Sequence, residues 1–385
     1  MSVTAPRGFR AAGIAAGIKT NGQPDLALVV NEGPLRAAAG VFTRNQVQAA
    51  PVLWSAQVLT GRRLQAVVLN SGGANACTGS GGFQDTHATA ERVAKVLDCG
   101  AGEVAVCSTG LIGERLPMDA VLVGVDTAAA ALDATPEAGL AAATAVLTTD
   151  TVPKEAAVSA GGWTVGGFAK GAGMVAPSLA TMLSVLTTDA VAGPEVLDAA
   201  LRAATRVTFD RIDSDGCMST NDTVLLLASG ASGVQPSPEE LTEAVTAVCH
   251  DLAQQLIADA EGATKHIAIA VEGAASEADA VEVGRVVARN ALVKTALFGN
   301  DPNWGRILAA VGTTSAAFEP DRVDVAINGV WICRGGAAAE DRSKVDLTGR
   351  DVTITINLRE GEMAATIWTT DLSHAYVHEN SAYSS

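Results

Sequence analysis

Residues able to do chemistry concentrate in Lys170-Gly171-Ala172-Gly173-Met174-Val175-Ala176-Pro177-Ser178-Leu179-Ala180-Thr181-Met182-Leu183-Ser184, a glycine-rich approach that runs into an apolar stretch beginning at a threonine. Gly171 to Ala176 formally satisfies G-x-G-x-x-A, a pattern that binds dinucleotides when it opens a helix whose N-terminus faces pyrophosphate. Pro177 argues against that use. Inside such a helix it would remove a hydrogen bond and clash with the preceding turn, at a cost of about 3 kcal/mol. A Walker loop fails as well, because Lys170 precedes the glycines instead of following them. By spacing alone the segment is a tight loop entering a core strand.

Other candidates are equally two-sided when taken singly. Thr109-Gly110 follows the strand-like Glu103–Ser108 and reads as a turn. Lys170 suits a carboxylate ligand or a solvated loop. Glu261 ends a long helical pattern just before Gly262, where an anion is slightly unfavourable, which points to a use other than stability. Of the five histidines only His374 and His378 have ligand-like spacing, with Asp371 and Glu379 nearby, and no metal is assigned to them. The six cysteines form no CxxC pair and fit neither a zinc site nor a disulfide framework.

The elements that must position these residues alternate between strand and helix patterns. Leu64–Asn70 reads as a buried strand followed by a glycine-rich turn at Ser71-Gly72-Gly73, and Asp85–Leu97 as a helix. Helical patterns recur at Met118–Leu132 and Pro136–Leu147, and again at Pro194–Thr205 and Pro238–Ala260. Trp163–Lys170, Met182–Thr188 and His266–Val271 look like strands. The alanine-rich stretch from Thr127 to Ala145 is read as helix, since alanine is the best helix former. After one more helix at Val286–Ala296 and the loop Phe298–Arg306, period-two strands follow at Arg322–Asn328, Val352–Leu358 and Met363–Asp371. The reading is α/β, with a larger domain over 1–284 and a smaller one over 285–385.

At 385 residues, 48% hydrophobic and 18% charged, the chain has the length and composition of a well-buried enzyme. Aromatics are only 4%, so layers of small residues can pack closely. A net charge of −16 argues against nucleic acid or anionic membrane as partner. No apolar run reaches the roughly 20 residues of a membrane helix. Arg10 and Lys19 interrupt the start, leaving no signal-peptide h-region, so a cytoplasmic location is expected.

The order Lys-Gly-Ala-Gly-Met, Pro, Ala-Thr-Met-Leu-Ser resembles the processing-site motif of the ornithine acetyltransferase family, the bifunctional glutamate N-acetyltransferases. The resemblance covers essentially the whole chain: Gly8-Phe9 with Gly17-Ile18-Lys19, Gly40-Val41-Phe42-Thr43 with Asn45, Ala50-Pro51-Val52, Asn70 through Gly79, and Ser108 through Gly113. It continues in Asp213-Ser214-Asp215-Gly216, Ser219-Thr220-Asn221-Asp222-Thr223, Glu261 through Lys265, Asp301 through Arg306, and the ending Asn380 through Ser385. Gly73 stands where the family pattern has asparagine, and the terminal serine where threonine is common.

The resemblance implies a four-layer α/β/β/α sandwich with a smaller C-terminal domain. It also implies self-cleavage between Ala180 and Thr181 into chains 1–180 and 181–385, two of each forming a heterotetramer. Cleavage would make Thr181 an N-terminal nucleophile whose own α-amine, with a pKa of about 7.7 to 8, is the base. The Thr109 hydroxyl and Gly110 N–H would form the oxyanion hole. Lys170 would bind the α-carboxylate and Glu261 the ornithine amino group, with Thr148, Asn380 and Ser385 completing the substrate contacts. The implied reaction carries acetyl from N-acetylornithine to glutamate by way of an acetyl-threonine, in arginine biosynthesis and without a cofactor. Acetyl-CoA serves some family members as a second donor. The rival expectations are a self-processing amidohydrolase or aminopeptidase, in which water takes the acyl group, and a non-catalytic amino-acid-binding protein that never cleaves.

Overall fold

The computed structural model describes residues 2–174, 176 and 182–382. The chain begins with β1 (Phe9–Ile14), β2 (Leu26–Asn31) and β3 (Ala37–Phe42), then α1 (Ala50–Val58), whose Pro51 sits in the first turn where no N–H is needed. β4 (Ala66–Gly73), α2 (Gly79–Leu97), β5 (Val104–Leu111), α3 (Met118–Ala130) and α4 (Pro136–Ala145) follow. β6 (Lys154–Ala160) and β7 (Trp163–Lys170) form a hairpin through Gly161-Gly162, both at positive φ, as a two-residue turn matched to strand twist requires.

Beyond the glycine-rich segment come β8 (Leu183–Thr188), α5 (Pro194–Val207), β9 (Thr223–Ala228) and α6 (Pro238–Ala258). α6 opens on a capping box between Ser237 and Glu240, and buries Leu241, Val245, Val248 and Leu252 on one face. β10 (His266–Ala274), α7 (Glu277–Arg289), α8 (Ala291–Phe298) and α9 (Trp304–Val311) lead into β11 (Asp324–Ile327), β12 (Val330–Arg334), β13 (Ala337–Ala338), β14 (Asp351–Asn357), β15 (Met363–Thr370) and the terminal α10 (His374–Ala382).

Three sheets result, in the orders β1-β2-β4-β5, β3-β9-β8-β7-β6 and β13-β12-β11-β14-β10-β15. The first two face each other. Strand residues alternate sides, so Val29, Val67, Leu69 and Ala105 of the first sheet meet Phe168, Val185, Leu225 and Leu227 of the second in one core. Their neighbours along the strands point outward. Leu28, Val68 and Val106 pack on α2 and α3, whereas Val165, Leu186 and Leu226 pack on α5 and α6. This is the expected α/β/β/α sandwich. The third sheet has its own core beneath α7, α8 and α9.

Three sequence expectations shift. The boundary placed at 285 falls inside α7, and β10 already pairs with β14 and β15, so the C-terminal layer starts at His266. The helix expected over Val286–Ala296 is broken at Asn290, whose backbone is extended and whose side chain caps α8 by accepting the N–H groups of Leu292 and Val293. Finally, Ser71–Gly73 is no turn but the end of β4, and Thr109-Gly110 is the end of β5, the two pairing in parallel. Gly110 has φ +126, and a side chain there would meet the Gly72 carbonyl carbon at 2.6 Å. Only glycine lets the two backbones run this close.

Candidate active site

Lys170 ends β7 with its ammonium buried, 1% exposed. Its Nζ donates to Thr148 Oγ1 at 2.8 Å and to Thr109 Oγ1 at 3.2 Å, and lies 3.8 Å from Asp150 Oδ2. Burial pushes the Lys170 pKa down, and the Asp150 charge opposes that shift. Burial would raise the Asp150 pKa, but Lys170, Lys154 and the Gly171 N–H (2.6 Å) outweigh it and hold that carboxylate below its ordinary value. The fully buried Lys154 bridges Asp150 and Asp259, 2.7 Å to each. Lys170, Asp150, Lys154 and Asp259 thus form a buried chain of alternating charge behind the glycine-rich segment. Asp259 also receives the Thr151 N–H at 3.0 Å and its hydroxyl.

Thr148 is placed by its neighbour. Lys19 Nζ donates to the carbonyl of Leu147 at 2.7 Å, and the Lys19 loop is itself held because Asp25 accepts the N–H groups of Ala16, Gly17, Ile18 and Lys19. The first-sheet loop and the Thr148 turn therefore share one anchor.

On the far side, Glu261 follows α6. Its N–H donates to the Ala172 carbonyl at 3.0 Å, and its carboxylate accepts from Asn380 Nδ2 at 2.9 Å. A Cβ on Gly173 would lie 2.5 Å from the Glu261 carboxyl carbon, so a side chain there would displace that carboxylate. Gly262, at φ +59, lies so close to α10 that a Cβ would approach the Tyr376 nitrogen to 2.2 Å. The C-terminal helix is thereby seated over the site. Its His374 packs edge-on against Phe298, ring centroids 5.3 Å apart.

These groups enclose a cavity of about 620 Å³, lined by Thr109, Gly110, Thr148, Lys170, Glu261 and Asn380 together. All the expected site residues that the structure describes meet here. Thr181, Ala180 and Ser385 lie outside the described residues. Met174 and Met182, described on either side of that stretch, are each held by an aspartate. Met174, at φ +53, donates its N–H to Asp215 Oδ2 at 2.7 Å; Met182 donates its N–H to Asp222 Oδ1 at 3.1 Å. Burial raises the Asp215 pKa and raises that of the fully enclosed Asp222 well above the carboxylate range. Lys294, pushed down to about 8 by burial, donates to the Ser214 carbonyl at 2.8 Å and ties this loop to the third sheet.

No helix begins at Gly171 to Met174, so the dinucleotide geometry is missing. Among the described residues no group of three His, Cys, Asp or Glu could hold a metal, and no helix is long and apolar enough to cross a membrane. The sequence reading missed Asp150, Lys154 and Asp259. The signal was present in Asp150, an aspartate among threonines, but its two lysine partners are assembled only by the fold.

Known proteins resemble this chain over its whole length. Arginine biosynthesis bifunctional protein ArgJ from Streptomyces avermitilis is 68% identical over 385 residues, covering all of both chains. The protein of the same name from Thermobifida fusca is 64% identical over 384 residues, again end to end. Among solved structures, an ornithine acetyltransferase from Mycobacterium tuberculosis complexed with ornithine is 62% identical, with a TM-score of 0.46, covering 47% of this chain and 96% of that one. The ArgJ family matches residues 10–385, and the chain belongs to that family.

Proposed function

We propose that the protein is a glutamate N-acetyltransferase that moves acetyl from N-acetylornithine to glutamate in arginine biosynthesis, using Thr181 after self-cleavage. The observation that carries this reading is the single cavity joining Lys170, Thr109 and Thr148 on one wall to Glu261 and Asn380 on the other. That arrangement offers a cation for an α-carboxylate, an anion for the ornithine ammonium, and hydroxyl and N–H donors for an oxyanion between them.

In this reading the Thr181 hydroxyl attacks the Ala180 carbonyl, acyl migrates from nitrogen to oxygen, and water hydrolyses the ester. The products are the Ala180 carboxylate and a free Thr181 amine. That amine then accepts the hydroxyl proton as the oxygen attacks the acetyl carbonyl, with charge held by Thr109 and Gly110. Ornithine departs with the proton, leaving an acetyl ester, and the glutamate amine takes the acetyl group in the reverse sequence. One amide is broken and one made, so no nucleotide is needed. The cytoplasmic location, the heterotetramer, the contacts from Ser385 and acetyl-CoA as a second donor belong to the same proposal.

Intact mass of wild-type and Thr181→Ala protein, before and after N-acetylornithine, tests it. Fragments 1–180 and 181–385, with acetyl added to the latter only in wild type, are expected. An uncut, unlabelled but active wild type would overturn the mechanism. Loss of amide to water at the same rate without glutamate would favour a hydrolase.

A further inference from the structure

Met182, the residue after the proposed nucleophile, is held through both of its peptide groups: its N–H donates to Asp222 Oδ1 at 3.1 Å, and its carbonyl accepts from the Thr223 N–H at 3.1 Å. The preceding side chain, Asn221, reaches the opposite way. Its Nδ2 donates to the carbonyls of Ala74 at 2.6 Å and Ser108 at 2.8 Å. Ser108 is bonded to Thr109, and Met182 is bonded to Thr181. Two consecutive, buried side chains therefore touch the backbone next to the oxyanion donor and the backbone next to the nucleophile.

These two backbones belong to different sheets. β5 lies in the first and β8 in the second, and the sheets meet through apolar side chains, whose contacts are non-directional. Hydrogen bonds at fixed distance and angle can set a separation more finely. The Asn221-Asp222 segment is itself anchored, since Thr43 donates its N–H to the Asp222 carbonyl at 2.9 Å and its hydroxyl to the Ser219 carbonyl at 2.7 Å.

We infer that Asn221 and Asp222 are positioning residues for acetyl transfer, a brace that sets the spacing between Met182, next in sequence to the proposed nucleophile, and the strand end carrying Thr109 and Gly110. The inference rests on the proposed function. Misplacement of reacting groups by about 1 Å costs on the order of 100-fold in rate, so loss of either arm should appear in turnover before it appears in substrate binding. Asp222 is fully enclosed, and burial favours its neutral acid against the opposing hydrogen bonds from Met182, Ser219 and Thr43. A neutral acid and an amide offer the Met182 N–H the same carbonyl oxygen, so asparagine should replace Asp222.

The test is steady-state kinetics with N-acetylornithine and glutamate, beside the rate of precursor cutting by intact mass, for wild type, Asp222→Ala and Asp222→Asn. D222A should cut and turn over about 100-fold more slowly with KM values within about threefold, and D222N should recover to within about tenfold of wild type. Wild-type rates in D222A, or a folded D222N as slow as D222A, would overturn the brace. Should D222A not fold, Asn221→Asp reads the other arm: slow turnover with retained KM supports the inference, and wild-type turnover overturns it. A wild type that transfers no acetyl refutes the functional reading itself, whereas an active wild type with the wrong variant pattern refutes only the brace.

Discussion

The Lys170 ammonium donates to the Thr109 hydroxyl oxygen across 3.2 Å, and an ammonium has no lone pair with which to accept in return. The Thr109 proton is therefore directed elsewhere, which is what an oxyanion donor requires. Thr109→Val should lower kcat by about 100- to 1,000-fold while leaving KM for N-acetylornithine within a few-fold, because removing one such donor costs about 2.7 to 4 kcal/mol. Stopped-flow acetylation of the cleaved enzyme measures this.

Lys170→Met should do more, raising KM for both substrates as well as slowing turnover. It removes the proposed carboxylate partner and releases the Thr109 and Thr148 hydroxyls together. Lys170→Arg should not rescue, since a planar guanidinium cannot reproduce a buried point charge between two hydroxyls. Substrate titration of each variant checks the pattern.

Lys154→Met would strand Asp150 and Asp259 in the interior. Breaking a buried pair in this way costs about 3 to 5 kcal/mol, readable by urea unfolding at pH 7. Because the folded Asp150 pKa is depressed, its contribution is complete at neutral pH and is lost as pH falls below the ordinary carboxylate value through the folded one. Acid unfolding of wild type should therefore steepen below about pH 4, the ordinary aspartate value.

Asp222 has the opposite sign. Its folded pKa is raised, so wild type loses stability as pH climbs from the ordinary aspartate value toward the folded one. Asp222→Asn cannot titrate, and its stability relative to wild type should grow across that window by up to about 1.4 kcal/mol per pH unit. Parallel urea series at stepped pH measure the difference.

Two glycines separate function from stability. Gly173→Ala meets only the end of the Glu261 side chain, which can swing aside, so the melting point should hold while KM for N-acetylornithine rises about tenfold. Gly262→Ala meets Tyr376 backbone at a positive φ, and should instead unseat α10. Hydrogen exchange over residues 374–382 reports that loss.

The strands at Trp163–Lys170 and His266–Val271 and the helices at Pro194–Thr205 and Pro238–Ala260 were legible because each rests on local pattern. α6 shows its apolar face and Ser237 cap in sequence, and Lys170 and Glu261 stand in recognisable blocks. What was not legible depends on pairing. Gly72 and Gly110 look like turn residues until two parallel backbones require them, and Asn290 looks helical until its side chain caps the next element. Asp259 is one more acid at a helix end until Lys154, far away in sequence, is folded against it.

The second sheet is woven from both sides of residue 181. β3, β6 and β7 precede it, β8 and β9 follow it, and β8 and β9 lie between β3 and β7. Severing the chain at this point would leave two polypeptides interleaved in one sheet. The uncut chain finds this arrangement as a unimolecular process, independent of concentration. The cut pieces, once denatured, must find each other by collision before β3 can pair with β9 or β7 with β8. Refolding yield after denaturation should therefore fall on dilution for the processed protein and stay constant for Thr181→Ala, which makes the peptide bond lost at maturation a tether needed once, during assembly.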